Sequence, residues 1–422
     1  MLDFVSPNPH HRCGEQGYRT KTWLARHTTA SERRPVILLG ATAAVSLNFL
    51  RGFPEYLTGR GWNVHIVSSE GPELAEYEHG AAATSHVITM ERDPHPVSDI
   101  RSLLKWIRLM REVRPDIVMV GTPKAATLAM FASAVARVPT RIYHILGLRL
   151  ETTAGIARAI LLAMERITCA CATRVLAVSP SLVTSITHYR IARNAKLDLI
   201  EPGTSNGIDL ELFSPTAIDK WQVERLRDKL GISSLDHVIG YVGRIHPDKG
   251  ISDLVRAIQI IHESNPEASL KLLVIGTRDR EGFDPFLDSQ IDVLMVEYVP
   301  DPRPYYKLMD VLCLPTLREG FPNVPLEASA MGVPVVTTDA TGARDSVQHE
   351  VTGLLVARGD YLNLANALRA LLMDPDYARR LGLAGLEWVK QFDRNTIWKR
   401  QASYLQDQLT GRERHRERGV WR

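Results

Sequence analysis

With 422 residues, the chain is longer than one hydrophobic core normally supports, so about two domains are expected. A hydrophobic content of 45% and a charged content of 23% are ordinary globular values, which excludes disordered and fibrous proteins. The net charge of +3 is uneven, because residues 1–206 hold 24 Lys and Arg against 17 Asp and Glu, whereas residues 207–422 hold 27 against 31. A basic first half indicates an anionic partner there, and phosphate, an acidic lipid surface or nucleic acid would each fit.

The ends of the chain and its cysteines carry little functional signal. Residues 1–34 are basic without the apolar block of a secretory signal, so we expect an unstructured tail. An uncharged run at 36–50 is shorter than the roughly 20 apolar residues that cross a bilayer. The four cysteines include no CxxC pair, which favours reduced thiols in a cytosolic protein over a disulfide framework or a zinc site.

Short apolar runs alternate with helical periodicity through the first half, as is typical of parallel α/β units. Strands are predicted at 35–39, 62–67, 116–120, 140–145 and 174–178, with helices near 46–59, from about residue 98, and after Ser179.

The second half repeats this rhythm, with strands at 238–242, 271–275, 311–314 and 333–337 and a helix from about residue 252. Gly, Pro and many charges between the halves predict a linker at 206–233. The domains are therefore placed at 35–205 and 234–390, and residues 411–422 form a charged tail. Two such domains create a cleft, and ligands bind beyond the carboxyl ends of the strands.

The strongest motif is Glu319-Gly-Phe-Pro-Asn-Val-Pro-Leu-Glu327, which follows a strand and opens a helix predicted at 324–331, ended by Gly332. The start of a helix attracts phosphate through its N–H groups and its dipole. Glu327 can face hydroxyls such as those of a ribose, and Glu319 lies where a bound sugar would lie. An ordinary strand–loop–helix with two solvated glutamates fits the spacing as well. A glycosidase pair does not, because its carboxyls stand about 5–9.5 Å apart and eight helical residues span roughly 12 Å.

A second motif, Gly243-Arg-Ile-His-Pro-Asp-Lys-Gly250, also joins a strand to a helix. Arg244 offers a planar fork for phosphate and Lys249 a mobile point charge. A lone Arg and Lys in a surface loop usually have no such role, but here they lie in the acidic half, where a diphosphate would need cations.

These residues resemble the GT4 family of retaining glycosyltransferases. The resemblance extends over about residues 36–400 and rests on Asn206-Gly-Ile-Asp209 with Phe213, on the two motifs above, and on the continuation to Val347. Residues 148–151, 305–306 and 338–344 look most like bacterial enzymes that extend polyprenyl-diphosphate-linked sugars.

The resemblance implies the GT-B fold, in which two Rossmann-like parallel-sheet domains face a central cleft and a C-terminal helix, here 391–410, returns toward the first domain. It also implies that Arg244 and Lys249 hold the donor diphosphate, that Glu319 contacts the donor sugar and that Glu327 contacts the ribose. The predicted donor-binding residues are Arg244, Lys249, Glu319, Gly320, Phe321, Pro322, Asn323, Val324 and Glu327. The predicted catalytic residues are Glu319, Arg244, Lys249 and His144.

The acceptor side departs from the family. Many members have a Gly-rich loop after the first strand, whereas residues 40–46 here contain a single Gly, so contact through Thr42 is an expectation only. His144 at a strand end faces the reacting sugar or is simply packed there. Lys124, after another strand, is a candidate for an acceptor phosphate, and Arg149 is a third acceptor-binding candidate.

A helix predicted at 98–114 carries five basic residues at three- and four-residue spacing with apolar residues between them. It either lies on an anionic membrane surface or presents an ordinary solvated face. Asp374-Pro-Asp376 has the Asp-x-Asp form of metal-dependent transferases but follows no strand, so it reads as a helix start. We predict no metal and no cofactor.

The sequence therefore predicts a cytoplasmic, peripherally membrane-bound hexosyltransferase that uses a nucleotide sugar, UDP-linked by preference, and a lipid-linked saccharide acceptor, with no nucleic acid as partner. A nucleotide-sugar epimerase or hydrolase and a non-catalytic partner subunit remain as alternatives.

Overall fold

The first half of the chain is built on a sheet of seven parallel strands in the order β3-β2-β1-β4-β5-β6-β7. The computed structural model describes residues 33–80, 82–91, 95–279, 282–287 and 289–417, so almost all of the predicted tail at 1–34 lies outside the described residues. The strands are β1 (Val36–Gly40), β2 (Asn63–Ser68), β3 (Thr84–Val87), β4 (Ile117–Val120), β5 (Thr140–Ile145), β6 (Arg174–Ala177) and β7 (Leu197–Leu199).

Helices cover both faces of this sheet. They are α1 (Phe53–Thr58), α2 (Pro72–His79), α3 (Pro96–Val113), α4 (Pro123–Val135), α5 (Gly155–Cys171) and α6 (Pro180–His188). Trp106 of α3, Met130 of α4, Cys169 of α5 and Leu182 of α6 belong to one buried cluster with Val118 of β4. Helices α3 to α6 therefore form one layer. The cluster on the other face contains Phe53 and Leu57 of α1 and Leu74 of α2.

The second half has six parallel strands in the order β10-β9-β8-β11-β12-β13. They are β8 (His237–Val242), β9 (Leu270–Ile275), β10 (Asp292–Val296), β11 (Val311–Leu314), β12 (Val335–Thr338) and β13 (Gly353–Val356). The helices are α7 (Lys220–Lys229), α8 (Ile251–Ser264), α9 (Arg303–Tyr306), α10 (Asn323–Ala330), α11 (Tyr361–Met373) and α12 (Pro375–Trp388). Asp374 caps α12 by accepting a hydrogen bond from the amide of Tyr377 at 2.9 Å, which confirms that Asp374-Pro-Asp376 starts a helix.

The last helix, α13 (Arg394–Glu417), packs against the first half. Trp398 and Leu405 join the cluster of α1 and α2. The indole of Trp398 donates to Asn206 Oδ1 at 2.6 Å, so the helix is fixed to the start of the segment between the sheets. Helix α13 continues to Glu417, into the segment predicted as a charged tail at 411–422, whose last five residues lie outside the described residues.

Both predicted sheets are present, with strands at every predicted position, and the two Rossmann-like domains of the GT-B fold are confirmed. Four strands were missed, namely β3, β7, β10 and β13, and they are the four edges of the two sheets. Edge strands are covered less completely than central ones, and β3, β7 and β10 lack a fully buried run, so their apolar signal is weak. The helix predicted at 46–59 is divided into a 3-10 helix (Ala44–Leu50) and α1, because Gly52 between them has φ +85°.

Candidate active site

The candidate site lies where the carboxyl ends of the central strands of both sheets meet. Two glycines allow the two halves to touch through their backbones. A Cβ on Gly320 would stand 2.1 Å from the carbonyl oxygen of Leu146. Gly147 has φ +134°, and a Cβ there would stand 3.2 Å from the amide of Gly320. Side chains at these two positions would separate the halves at the point where the Glu319 motif enters the cleft. Within the second half, a Cβ on Gly342 would stand 2.2 Å from the carbonyl oxygen of Gly320, so Gly342 lets the two loops of that half pack together.

Two residues that were predicted to bind the donor, one from each motif, form a direct ion pair. Lys249 Nζ lies 2.6 Å from Glu319 Oε1, and the two side chains are 16% and 15% exposed. A pair this sheltered is screened less by solvent than a surface pair. The two motifs, 70 residues apart in sequence, are thus one site.

A second charged network lies next to Lys249. Its neighbour Asp248 is buried and accepts from Arg318 Nη2 at 2.7 Å and contacts His246 Nδ1 at 2.5 Å. Burial alone would raise the pKa of Asp248, but Arg318 and Lys249 hold it below its ordinary value. Arg318 also donates through Nε to Thr152 Oγ1 of the first half at 2.9 Å, so this network spans both halves.

Arg244 stands at the exposed rim of the same loop. It follows β8, it is about half exposed, and it pairs with Asp279. The Tyr241 hydroxyl donates to the Arg244 carbonyl oxygen at 2.7 Å, which fixes the backbone of the loop. Lys249 is thus a sheltered cation, whereas Arg244 is accessible from the cleft.

Helix α10 begins beside this pair, as the motif predicts, and Gly332 with φ +76° follows its end. Among the described residues, no side chain caps its first turn. Because Pro325 has no N–H group, the amides of Asn323 and Val324 are the donors that the first turn presents. Such N–H groups suit a phosphate. The Asn323 Oδ1 atom is buried and finds no hydrogen-bond partner among the described residues.

Glu327 is held by a residue outside the motif. The hydroxyl of Tyr306 in α9 donates to Glu327 Oε2 at 2.7 Å. Burial raises the pKa of Glu327 above its ordinary value, while the Tyr306 hydrogen bond opposes that rise. Tyr306 itself is fully buried, so the carboxylate is fixed before any ligand arrives.

Phe321 has another role than the motif indicates. Its ring is 8% exposed and lies 5.3 Å from that of Phe392, within the apolar cluster of the first half. The side chain therefore anchors the loop between the halves, and Gly320, Phe321 and Pro322 can meet a ligand mainly through their backbone.

A small pocket lies at the carboxyl ends of β1, β4 and β5. Its lining is mostly apolar and backbone, including Ala41, Phe49, Met119 and Leu146, with His144 among the few polar side chains. Burial lowers the pKa of His144 to about 4, so the ring is neutral at pH 7. His144 can exchange hydrogen bonds there but contributes no charge.

The three other acceptor candidates are placed differently. Thr42 is buried, and its hydroxyl lies 2.8 Å from that of Thr122 and accepts from the amide of Ala125, so it joins β1 to the start of α4. Lys124 pairs with Asp99 of α3 at 2.7 Å. Arg149 is exposed, immediately after the Gly147 contact. Arg149 is thus the most accessible of the three.

Known proteins resemble this chain over both halves. The model of "Glycosyltransferase Family 4" matches residues 48–212, and that of "Glycosyl transferases group 1" matches residues 236–374. The capsular polysaccharide biosynthesis glycosyltransferase CapM of Staphylococcus aureus is 39% identical over 364 residues, which cover 85% of this chain and 93% of that protein.

The chain belongs to glycosyltransferase family 4. A second relative is 25% identical and covers 74% of this chain and 81% of its own length; it is the UDP-Gal:alpha-D-GlcNAc-diphosphoundecaprenol alpha-1,3-galactosyltransferase of Escherichia coli. Among solved structures, that of Anabaena HepE with UDP-glucose shares the fold with a TM-score of 0.72 at 21% identity, covering 88% of this chain and 99% of that one. The family predicted from the motifs is confirmed.

The glycosyltransferase joins its halves through a polar seam that the motifs do not reveal. Glu151 accepts from Ser185 and from Thr341, both at 2.8 Å, and Asp345 accepts from the amide of Ser181 at 3.1 Å. The amide of Gly342 donates to Ser181 Oγ at 2.7 Å. Single serines and carboxylates without regular spacing give no sequence signal, although Glu151 and Thr341 fall in stretches that look like the lipid-linked-sugar enzymes.

Tyr306 and Arg318 were not predicted as site residues. Tyr306 contacts Glu327 and Arg318 contacts Asp248, and each pair comes from two different elements that only the folded chain brings together. No helix of the described residues combines the length and apolar character needed to cross a bilayer.

Proposed function

We propose that this glycosyltransferase transfers a hexose or N-acetylhexosamine from a UDP-sugar to a hydroxyl of a polyprenyl-diphosphate-linked saccharide, in the assembly of a surface polysaccharide. The observation that carries the proposal is the Lys249–Glu319 pair, 2.6 Å apart, beside the uncapped start of α10. A cation, a carboxylate and helix N–H groups at one point match a ligand that joins a sugar to a diphosphate.

On the donor side, Arg244, Lys249 and the amides of Asn323 and Val324 would neutralise the diphosphate as it leaves. Enzymes commonly gain more of their rate enhancement from stabilising charge that develops in the transition state than from any other single effect. Glu319 would accept from hydroxyls of the donor sugar, and Glu327, held by Tyr306, would accept from those of the ribose.

The choice of UDP and of a lipid-linked acceptor draws support from the relatives. The E. coli relative acts on UDP-Gal and a diphosphoundecaprenol-linked sugar, and HepE is bound to UDP-glucose. CapM is named for capsular polysaccharide biosynthesis. An acceptor of this kind would place the protein at the cytoplasmic face of the plasma membrane as a peripheral enzyme.

On the acceptor side, the reacting hydroxyl of the saccharide would lie beside the small pocket that contains His144, and the acceptor diphosphate would meet Arg149 or Lys124. The neutral His144 ring would orient a hydroxyl without competing for its proton. We propose retention of the anomeric configuration. The bond from the sugar C1 to the phosphate oxygen would break as the bond to the acceptor oxygen forms on the same face, and the departing phosphate would take the hydroxyl proton. Because this chain supplies the cations, we propose that no metal takes part.

The test is a panel of nucleotide sugars offered with a short-chain polyprenyl-diphosphate sugar and, in parallel, with a soluble saccharide. We expect transfer from a UDP-sugar to the lipid-linked acceptor. The NMR coupling constant of the anomeric proton in the product should show the same anomeric configuration as in the donor. Transfer only to the soluble saccharide would overturn the lipid-linked acceptor. Release or isomerisation of the sugar without any acceptor would overturn the transferase in favour of a hydrolase or epimerase.

A further inference from the structure

Helix α5 presents an apolar stripe to solvent. Ile156, Ile160, Met164 and Ile167 are 81%, 55%, 38% and 56% exposed. Their spacing of four, four and three residues places them on one side of the helix. Single exposed apolar residues are normal, but a continuous exposed stripe marks an interaction surface.

The first turns of α5 are exposed around most of their circumference, because the side chains of residues 154–160 are all exposed to solvent. The segment includes Ala157 and Ala159 as well as the two isoleucines, so its apolar surface is not limited to the stripe. By contrast, the last turns pack inward through Thr168 and Cys169. The helix thus projects its apolar beginning away from the core.

The charges on α5 limit what can cover this surface. Glu165, the one carboxylate of the helix, points inward and accepts from the Tyr143 hydroxyl at 2.9 Å. Arg158 and Arg166 are exposed on other sides of the helix than the stripe, where Arg158 lies over the Tyr189 ring and Arg166 donates to the carbonyl oxygen of Tyr189. The exposed surface of α5 thus carries cations and no carboxylate, which suits anionic lipid headgroups.

Neighbouring helices extend the same chemistry. Helices α3, α4 and α5 belong to one layer, with α4 in contact with both of the others. On α3, Val97, Ile100 and Leu104 are each about 60% exposed, next to the exposed Arg101 and Lys105. The basic helix predicted at 98–114 thus has both a buried face, through Trp106 and Met110, and an exposed face with apolar and cationic side chains.

The surface also lies on the correct side of the molecule. In parallel α/β units the helices run back along the strands, so α3 and α5 begin at the carboxyl ends of the strands. Helix α5 begins ten residues after β5 ends, and the connecting segment contains Gly147, which contacts the Glu319 loop, and the exposed Arg149. The apolar turns and the mouth of the cleft therefore share one end of the first sheet.

We propose that the first turns of α5, with the exposed face of α3 in the same helix layer, dock on an anionic lipid bilayer and hold the cleft at the membrane surface. Ile156 and Ile160 enter the headgroup region, and Arg101 and Lys105 of α3 bind lipid phosphates. Docking would bring the cleft close to its acceptor only if the acceptor is lipid-linked, as proposed above. The docking itself does not depend on that proposal.

The test is co-sedimentation of the full chain with vesicles of phosphatidylcholine alone or mixed with phosphatidylglycerol. Wild-type protein is expected to bind the mixed vesicles, less so at high salt, and Ile156→Ser/Ile160→Ser to lose at least about tenfold in affinity. The matched control is Leu235→Ser/Leu287→Ser, two leucines that are 83% and 71% exposed in the second half, which should bind as wild type.

A readout of transfer separates the two proposals. The Ile156→Ser/Ile160→Ser variant should keep wild-type turnover on a short-chain acceptor in solution and lose it on a long-chain acceptor in vesicles. Equal vesicle binding by this variant and wild type would overturn the docking surface, as would a dimer that the two substitutions dissociate. Vesicle binding without any lipid-linked transfer would instead overturn the proposed function and leave the docking surface standing.

Discussion

The two halves of the cleft are built differently. On the side of the second half, charged groups are linked to one another: Lys249 to Glu319, and Asp248 to Arg318. On the side of the first half, a mostly apolar pocket contains His144, which is neutral at pH 7. A diphosphate binds best to positively charged groups that are held in fixed positions. An acceptor hydroxyl needs a pocket of matching shape and a hydrogen-bond partner. The difference supports the proposal that the second half binds the donor.

A pair of Tyr–Glu contacts makes the same comparison on a smaller scale. Tyr143 donates to Glu165 in the first half at 2.9 Å, and Tyr306 donates to Glu327 in the second at 2.7 Å. Glu165 lies on the buried face of α5, away from the donor motifs, whereas Glu327 ends the Glu319 motif. The same kind of contact therefore supports the fold in one half and the proposed binding site in the other.

The largest effect is expected from Lys249→Ala. It removes the sheltered cation and leaves Glu319 without its partner, so we expect kcat/KM for transfer to fall by about 10² to 10³, as for loss of other groups that stabilise transition-state charge. Initial rates with the UDP-sugar and the lipid-linked acceptor measure this loss.

Lys271→Ala is the matched control, because Lys271 is 14% exposed and pairs with Asp292 at the far edge of the same sheet. If kcat/KM fell by a similar factor in both variants, activity would depend on any ion pair of the second half. The Lys249–Glu319 pair would then have no special role in donor binding.

Glu165→Gln should change stability. Burial raises the pKa of Glu165 to about 7 from 4.5, so the folded protein retains a proton that the unfolded chain has released. The stability from Glu165 is thus fully present below about pH 4.5 and is lost as the pH rises through about 7. Because Gln is always neutral, the variant should exceed wild type at pH 8 by on the order of 2 kcal/mol and match it near pH 5.

Denaturant unfolding at the two pH values measures this difference, and Glu112→Gln, an exposed carboxylate on α3, should show none. A gain for Glu165→Gln that is equal at both pH values would contradict the buried, uncompensated carboxyl in the first half.

Tyr306→Phe should have the smallest effect. It removes one hydrogen bond to Glu327 and keeps the packing, so donor KM is expected to rise by about 5- to 10-fold at nearly unchanged kcat, as one hydrogen bond to a charged group is worth about 1.5 kcal/mol. Two-substrate steady-state kinetics separate the two constants.

Tyr404→Phe removes the same kind of contact, from Tyr404 to Asp198 at 2.7 Å, and should leave donor KM unchanged. If kcat fell in Tyr306→Phe while donor KM stayed constant, Tyr306 would not act by positioning Glu327.

The sequence grouped the proposed donor residues more completely than the proposed acceptor residues. Lys249 and Glu319 come from two short motifs at strand ends, and the fold brings their side chains to 2.6 Å. The central strands were found because each is a buried apolar run, whereas β3, β7 and β10 lack a fully buried run. Tyr306 and Glu151 lie in stretches that resemble the lipid-linked-sugar enzymes, but their partners, like the partner of Arg318, are known only from the folded chain.

The exposed stripe of α5 escaped notice because its apolar periodicity is the same as that of a helix packed on a sheet. Sequence alone does not tell which face of such a helix is covered. The helix predicted at 98–114 was recognised as basic with apolar residues between its charges, but only the folded chain shows that Ile100 and Leu104 are exposed.

The most direct test of the two-sided cleft is the binding of UDP, measured by calorimetry, to Glu327→Gln and His144→Ala. With the donor on the second half, Glu327→Gln should bind UDP about tenfold more weakly than wild type, through loss of a charge-assisted hydrogen bond to the ribose. His144→Ala should bind it as wild type does. Weakened binding by His144→Ala together with wild-type binding by Glu327→Gln would contradict the account.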